Sequence, residues 1–325
     1  MAYPGRRTFV GITAVMMLMA AGCKSRPRAT AAATQPSPPV ELLKRPAIDL
    51  TRGGAGFPLE TKSVPSAPAA VAAALKAGYA LRLESPDKVR IDIAPGPADG
   101  AFARMVIDIS GSAVRQDYVP KQQPKQIEPV AFLRAGLLNY VAEPLRYRHF
   151  TAGMRLDANE AKLGVLPAAD GTFGLSLVDC ATAHASLSLS MDGLKQSLAK
   201  GVQSKQSLAF MVENVDLDLT SDNPRSLEAD VLVRARLLLL PAHFRITGRA
   251  DITDAFNVHF TKLNAAGLNA TGKIVAGVVQ SRLDKLNNKA APLLKLPGDR
   301  IRLTDVAINV GEALTIDADL IGGGL

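Results

Sequence analysis

The sequence predicts an α+β fold in which a curved antiparallel β-sheet wraps around a long amphipathic helix near the C-terminus. The helix is indicated by apolar residues at steps of three and four between Thr271 and Leu296, the spacing of one helical face. The sheet is indicated by period-two alternation of apolar and polar residues in most other segments. The sequence has no strand–helix–strand pattern typical of a parallel sheet, which favours antiparallel pairing.

The predicted helix presents an apolar face that consists of Val275, Val279, Leu283, Leu286 and Leu293. At about 1.5 Å per residue this helix would be roughly 35 Å long, so it needs an extended apolar partner surface. Thr271 is the expected N-cap, and Pro297-Gly298 would follow the last turn. Two interpretations of the face stay open: a groove wall that contacts acyl chains, or a helix buried in an ordinary closed core.

Residues 1–22 are predicted to be an export signal, because Arg6 and Arg7 precede a short apolar run. The run ends in Ala20-Ala21-Gly22-Cys23, which resembles the lipobox of bacterial lipoproteins. That resemblance implies cleavage before Cys23 and attachment of lipid, such as palmitate, to this cysteine. An ordinary secretory signal with an unrelated cysteine and an uncleaved membrane helix are the alternatives.

Residues 23–68 are predicted to be a flexible basic, proline-rich tether. Acyl chains beside basic residues are two membrane-attachment signals acting together. Of the net charge of +8, residues 1–22 carry +2, residues 23–66 carry +4 and the remaining body carries +2. Since nucleic-acid binders concentrate positive charge on the folded body, this distribution argues against a nucleic-acid partner.

Residues 69–126 are predicted to form an N-terminal antiparallel meander, which a short Ala-rich helix from Val71 to Gly78 precedes. The sequence leaves open whether this meander shares a sheet with the rest of the chain. Residues 127–321 are predicted to form a second, α+β domain. That domain is expected to begin with an amphipathic helix between Val130 and Pro144.

The remainder of the second domain is predicted to be mostly strands, with a short helix from Met191 to Gly201. Leu227 to Leu240 is predicted to be one long strand. The phase of alternation slips between Leu303 and Val306, which predicts a β-bulge at Thr304-Asp305.

The C-terminal third also has a recognisable order of elements. Two strands precede the long helix ending in Leu296-Pro297, after which come Arg300-Ile301-Arg302-Leu303 and a glycine-turned hairpin; Ala183-His184-Ala185-Ser186-Leu187 lies upstream. From about Val130 to Leu320 this order resembles the LmeA-like phospholipid-binding family of bacterial envelope proteins and, more distantly, the tubular lipid-binding (TULIP) superfamily. The resemblance implies a TULIP-like roll, an apolar groove for acyl chains and a phospholipid ligand, without catalytic residues. Residues 71–118 have no counterpart in it.

Four arginines are the candidate contacts for a lipid headgroup: Arg234, Arg236, Arg245 and Arg249. They lie on the polar faces of the strands before the helix. Near a groove mouth, guanidinium groups would pair with a lipid phosphate. The alternative is that each arginine lies on a solvated strand face.

The sequence contains no motif of nucleophilic, phosphate-binding or metal-dependent catalysis. His149, His184, His243 and His259 are scattered without ligand spacing, and Cys180 is expected to be a small buried residue. No cofactor or metal is therefore predicted, and the chain is expected not to be an enzyme.

The first functional hypothesis is a membrane-tethered protein that binds or transfers phospholipid or another acyl-chain ligand in the bacterial cell envelope, facing the periplasm or the exterior. The second is a structural or interaction lipoprotein with a closed core and no ligand. The third is a hydrolase whose nucleophile is not recognisable in the sequence.

Overall fold

The computed structural model describes residues 48–49, 56–117, 126–147, 150–168, 171–203, 210–293 and 300–323. The predicted export signal, Cys23 and most of the predicted tether lie outside these ranges and stay predictions. Strand accounts for 59% of the described residues and helix for 16%.

The described elements are sixteen strands and three α-helices, besides a short 3-10 turn at Pro86–Lys88. The helices are α1 (Pro68–Ala80), α2 (Met191–Gln203) and α3 (Ala270–Leu283). The strands are β1 (Ile48–Asp49), β2 (Phe57–Leu59), β3 (Arg90–Pro95), β4 (Ala101–Asp108), β5 (Gln126–Ile127), β6 (Ala131–Tyr147), β7 (Phe150–Pro167), β8 (Phe173–Asp179), β9 (Thr182–Ser190), β10 (Phe210–Thr220), β11 (Ser226–Leu237), β12 (Leu240–Ile252), β13 (Asn257–Gly267), β14 (Ala290–Pro292), β15 (Ile301–Val310) and β16 (Ala313–Gly322).

Nine strands form the larger sheet. Seven of them follow the order β15-β16-β9-β7-β6-β4-β3, and β8 pairs with both β7 and β2 beside this row. All these pairs are antiparallel except β4 with β6, which is parallel. Because β4 lies within the predicted N-terminal meander and β6 within the predicted second domain, the two regions share one sheet.

The smaller sheet is a five-stranded antiparallel meander from β10 to β14. A separate short pair joins β1 to β5. The turn between β10 and β11 reaches across to the larger sheet, where the amide of Ile308 donates to the carbonyl of Pro224 at 2.6 Å. In the same place Arg225 pairs with Asp305 at 3.1 Å.

Two large aliphatic cores lie in the described part of the chain, besides a small cluster around Leu166 and Val178. The first lies between α1 and the part of the larger sheet that contains β3, β4, β6, β7 and β8. The second lies where β9, β15 and β16 face the smaller sheet, with α2 and α3 at its margins. Strands β7, β9, β15 and β16 contribute to both cores: Ala183 and Leu320 are in the first, and Leu189 and Leu314 are in the second.

The prediction of an α+β roll around a long C-terminal helix is wrong, because α3 ends at Leu283 and no long amphipathic helix follows in the described part of the C-terminal region. The amides of Leu286 and Asn287 fold back onto the carbonyl of Leu283, and Asn288 has a φ of 61°. Asn288 lies four residues after the C-cap Asp284, and its left-handed conformation, which asparagine tolerates, prevents the turn from continuing as a helix. The chain then turns into β14, which pairs with β13. The N-cap is Asn269 rather than Thr271.

The helix predicted between Val130 and Pro144 is also wrong, since this segment belongs to strand β6. The buried positions switch between odd and even residue numbers along this strand: Leu133 and Ala135 are buried first, then Leu138 and Ala142, then Leu145. The second switch coincides with a register shift between Ala142 and Leu145. Three-residue steps of this kind break the alternation, so a distorted strand imitates helical spacing.

Other local predictions are confirmed. Helix α1 covers the predicted Ala-rich helix, and α2 begins at the predicted Met191. The bulge predicted at Thr304-Asp305 corresponds to a register shift between Leu303 and Asp305 in the β15–β16 pair. The prediction of one long strand from Leu227 to Leu240 is wrong in part, because this segment contains most of β11, a turn and the first residue of β12.

Candidate functional site

The four predicted headgroup arginines lie together on the outward face of the smaller sheet, but each already pairs with a carboxylate. Arg234 pairs with Asp216 at 3.5 Å and Arg236 with Glu213 at 2.5 Å. Arg245 pairs with Asp230 at 3.3 Å. These pairs run across neighbouring strands, where opposite charges stabilise a sheet modestly. Their carboxylate partners occupy the position that a lipid phosphate would take.

Arg249 forms the densest of these ion clusters. Its guanidinium contacts Asp222 at 2.8 Å, Glu228 at 2.9 Å and Asp251 at 2.8 Å. Hydrogen bonds from Arg249 and then from Ser226 lower the pKa of Asp222 to about 2. The cluster joins the β10–β11 turn to β11 and β12, so the arrangement has a structural role at the end of the sheet.

The predicted acyl-chain residues lie on the opposite, inward side of the same sheet. Helix α3 rests on β12 and β13, with Leu283 buried and Val275 and Val279 packed against the second core. Leu286 lies in the turn after α3, and Leu293 follows β14. The structure therefore separates the predicted apolar face from the predicted arginines by the thickness of a sheet.

A cleft of about 590 Å³ opens at the edge of the second core. Its aliphatic lining comes from Leu217 and Leu219 on β10, from Val310 at the end of β15 and from Met191 at the start of α2. Leu217 and Leu219 are themselves members of the second core. The cleft is therefore a surface opening whose floor is continuous with the aliphatic interior between the two sheets.

The rim of this cleft is polar and carries both signs of charge. Asp192 and Lys195 project from α2, Asp218 comes from β10, and Glu312 comes from the β15–β16 turn. The hydroxyl of Ser190 accepts the amide of Gly193 at 3.2 Å, as an N-capping side chain does. The amide of Met191 donates to the carbonyl of Glu312 at 3.4 Å, which holds the helix start beside the turn.

A second, smaller cleft of about 270 Å³ lies on the outward face of the larger sheet. Its central group is His184, whose Nδ1 is 2.7 Å from Asp319 and whose Nε2 is 4.0 Å from Asp317. A general base for a serine nucleophile keeps its second ring nitrogen directed at the hydroxyl. Because carboxylates face both nitrogens of His184, this cluster suits an ion pair and gives no support to the hydrolase hypothesis.

Cys180 is buried, as predicted, and burial raises the pKa of its thiol, with Asp179 adding to the effect. Within the described ranges, no group of three or more His, Cys, Asp or Glu side chains is placed to hold a metal ion. Over the same residues, no helix has the length and apolar character needed to cross a bilayer.

Sequence reasoning missed one exposed apolar feature, the hairpin turn between β11 and β12. The available signal was the run of four leucines, Leu237 to Leu240, which interrupts the alternation of apolar and polar residues. The run contains no glycine, asparagine or aspartate of the kind that marks a tight turn, so no local turn signal interrupts the predicted strand.

Comparison with known proteins found no matching family model, no matching curated protein and no matching solved structure. The resemblance to LmeA-like proteins thus gains no support from these comparisons.

Proposed function

We propose that this chain is a membrane-tethered, non-enzymatic protein that binds phospholipid or another acyl-chain ligand in the bacterial cell envelope. The observation that carries the proposal is the cleft that opens onto the second core. The cleft combines apolar side chains at its floor with a larger number of polar and charged residues at its rim, and its volume falls in the usual range of small-molecule sites, about 300–1,000 Å³.

The energetics of such a site follow from its lining. Each methylene of an acyl chain that leaves water for an apolar surface contributes about 0.8 kcal/mol. Leu217, Leu219 and Val310 provide apolar contacts at the floor, and the polar rim supplies the remaining contacts of a bound lipid. The rim selects the headgroup: Lys195 suits a phosphate, whereas the carboxylates of Asp218 and Glu312 suit an amine.

The second candidate function is an interaction lipoprotein with a closed core and no ligand. The packing of α3 favours it, because Val275 and Val279 pack against the second core rather than line an open groove, and Leu283 is buried. In this case the cleft would be a solvent-filled surface depression.

The two functions are separated by the lipid content of the purified full chain. A Gly311→Trp variant places a bulky side chain at the cleft, and a Cβ at this position meets nothing within 4 Å. Gly277→Trp, on α3 and away from the cleft, is the matched control, because its Cβ also meets nothing within 4 Å.

If the cleft binds lipid, native mass spectrometry should detect non-covalent lipid on wild type and on Gly277→Trp, and much less on Gly311→Trp. Equal thermal stability of the two variants would exclude unfolding as the cause. Absence of non-covalent lipid on wild type, even after incubation with vesicles of phosphatidylethanolamine and phosphatidylglycerol, would exclude the lipid-binding function and leave the interaction lipoprotein. Equal lipid on both variants would place the ligand elsewhere.

A further inference from the structure

The smaller sheet ends in an exposed leucine hairpin, which we call the leucine apex and define as Leu238, Leu239 and Leu240. Their exposed fractions are 68%, 88% and 60%. Leu237 pairs with Leu240, so the connection is a two-residue turn that projects beyond both strands. Single exposed leucines are common on protein surfaces, but three consecutive ones at a projecting tip form an apolar surface that calls for a partner.

The backbone of the leucine apex is strained in the same place. Leu238 has a φ of 51° and Leu239 a φ of 78°, the pair of positive values that a type I′ hairpin turn requires. Asparagine and glycine adopt these values readily, whereas leucine does so at an energetic cost. Leu238 and Leu239 therefore have both a strained backbone and apolar side chains exposed to water. Strain of this kind is commonly found at functional sites.

The start of helix α3 extends this apolar surface. The side chain of Asn269 donates from Nδ2 to the carbonyl of Pro241 at 2.9 Å and accepts the amides of His243 at 3.1 Å and Gly272 at 2.7 Å. These bonds hold the first turn of α3 beside the start of β12. Leu268 and Ile274, on either side of this clamp, are 56% and 65% exposed. Val278, one turn further along α3, is 60% exposed.

The chain segments that contain the leucine apex and the start of α3 carry basic residues but no acidic ones. Residues 231–250 and 255–283, which contain the apex and the start of α3, include no aspartate or glutamate. Their charged residues are Arg234, Arg236, Arg245, Arg249, Lys262, Lys273 and Arg282. Carboxylates of neighbouring segments pair with the four arginines, as described above. Lys273 is exposed and directly precedes Ile274, so a cation lies beside the apolar surface.

We infer that the leucine apex, together with Leu268 and Ile274, inserts into the interfacial region of a lipid bilayer. The shape and chemistry favour this occupant over a protein. The surface is convex and aliphatic, whereas protein interfaces enrich aromatic side chains and arginine at a packed centre. Aliphatic residues that enter the acyl region beside cations at headgroup level are typical of interfacial membrane contacts. This contact is independent of the cleft and of the predicted acylation of Cys23.

The chain contains no tryptophan, so a single introduced tryptophan reports on one position alone. The test uses the full chain with Leu239→Trp, reconstituted on vesicles of phosphatidylethanolamine with a minority of phosphatidylglycerol and of phosphatidylcholine that carries a doxyl quencher near the acyl carbonyl. Leu81→Trp is the matched control, because Leu81 is also exposed (51%) but follows α1, the helix that packs on the first core rather than on the smaller sheet. Both proteins share the same N-terminal attachment, so only the local depth of the tryptophan differs.

If the leucine apex inserts, the tryptophan emission of Leu239→Trp should shift to shorter wavelength and be strongly quenched on vesicles, whereas the emission of Leu81→Trp should change little. Equal quenching at the two positions would overturn it. A blue shift of Leu239→Trp without vesicles, accompanied by a doubled molecular mass, would also overturn it, since a second copy would then cover the apex.

A second variant removes the apolar side chains without threatening the fold. Leu238→Asn with Leu239→Gly supplies the residues that a type I′ turn prefers, so the hairpin should be at least as stable as in wild type. The reporter is Leu240→Trp. Adding the double substitution to this variant should lower its partition onto vesicles by about tenfold or more compared with Leu240→Trp alone. A tenfold loss corresponds to about 1.4 kcal/mol. Unchanged partition and quenching would refute membrane insertion of the apex.

Discussion

Replacing Asn269 by alanine should destabilise the protein through the loss of a clamp between α3 and β12. The Asn269 side chain makes three hydrogen bonds, to Gly272, His243 and Pro241. Loss of an N-cap side chain costs about 0.5–2 kcal/mol, and each further intramolecular hydrogen bond contributes about 0.5–1.5 kcal/mol net. The Pro241 bond is solvent-exposed and contributes least, so the free energy of unfolding should fall by about 2 kcal/mol.

Thermal unfolding followed by circular dichroism measures this loss. At about 2–4 °C per kcal/mol, the midpoint should fall by about 4–8 °C. Asn269→Asp separates the cap from the clamp, because its carboxylate still accepts the two amides but cannot donate to Pro241; its midpoint should lie between those of wild type and Asn269→Ala. Asn264→Ala, at an exposed position of β13, is the control and should change stability by less than about 0.5 kcal/mol. An Asn269→Ala midpoint equal to that of the control would refute the clamp.

Three further substitutions test other parts of the molecule. Leu283→Ala should cost about 2–5 kcal/mol in thermal or urea unfolding, because the side chain is buried at the end of α3; a negligible loss would indicate a solvent-filled or lipid-filled groove instead. Arg249 depresses the pKa of Asp222 to about 2, below the ordinary value of about 3.9, so the stability that this pair contributes is present above about pH 4 and is lost as the pH falls through about 2. Asp222→Asn should therefore flatten the dependence of the unfolding midpoint on pH in that window, and an unchanged slope would exclude the pair as its source. Cys23→Ser should abolish lipidation and leave the precursor uncleaved; processing at the same site with unchanged membrane attachment would contradict the lipoprotein prediction.

Strand positions were largely predictable from the sequence because alternation is a local property. Val306-Ala307-Ile308 alternates cleanly and forms β15, and the phase slip before it gave the bulge at Asp305. Asp305 is also the residue that Arg225 reaches from the other sheet, a partnership 80 residues apart that no local pattern contains. Sheet order and the parallel β4–β6 pair were unpredictable for the same reason.

The length of α3 was overestimated because apolar spacing continues after the helix has ended. Leu286 and Leu293 fit the helical period, but Asn287-Asn288 offers a left-handed residue and β13 offers a strand partner to the segment that follows. Propensity is a weak prior against such tertiary pairing. In β6 helix was also predicted in excess, but for a different reason: departures from strict alternation within a strand created helical spacing.

The candidate sites were less predictable than the strands. Arg234 and Arg236 were correctly expected on a polar strand face, but their carboxylate partners on β10 are only brought opposite them by strand register. The cleft assembles residues from α2, β10 and the β15–β16 turn, which are distant in sequence. The leucine apex was visible as a run of leucines, yet its turn conformation contradicts ordinary turn chemistry, and local rules are expected to fail at such positions.

The four strands shared by the two cores have a consequence for synthesis. Strand β9 lies between β7 and β16, so one of its edges stays unpaired until residues 313–322 have been made. The first core likewise lacks Ile301 and Leu320 until then. A chain that emerges from its N-terminus therefore cannot complete one half and proceed to the other. Both cores are completed only when β15 and β16 have paired, and until then β9 presents an unpaired strand edge of the kind that favours aggregation.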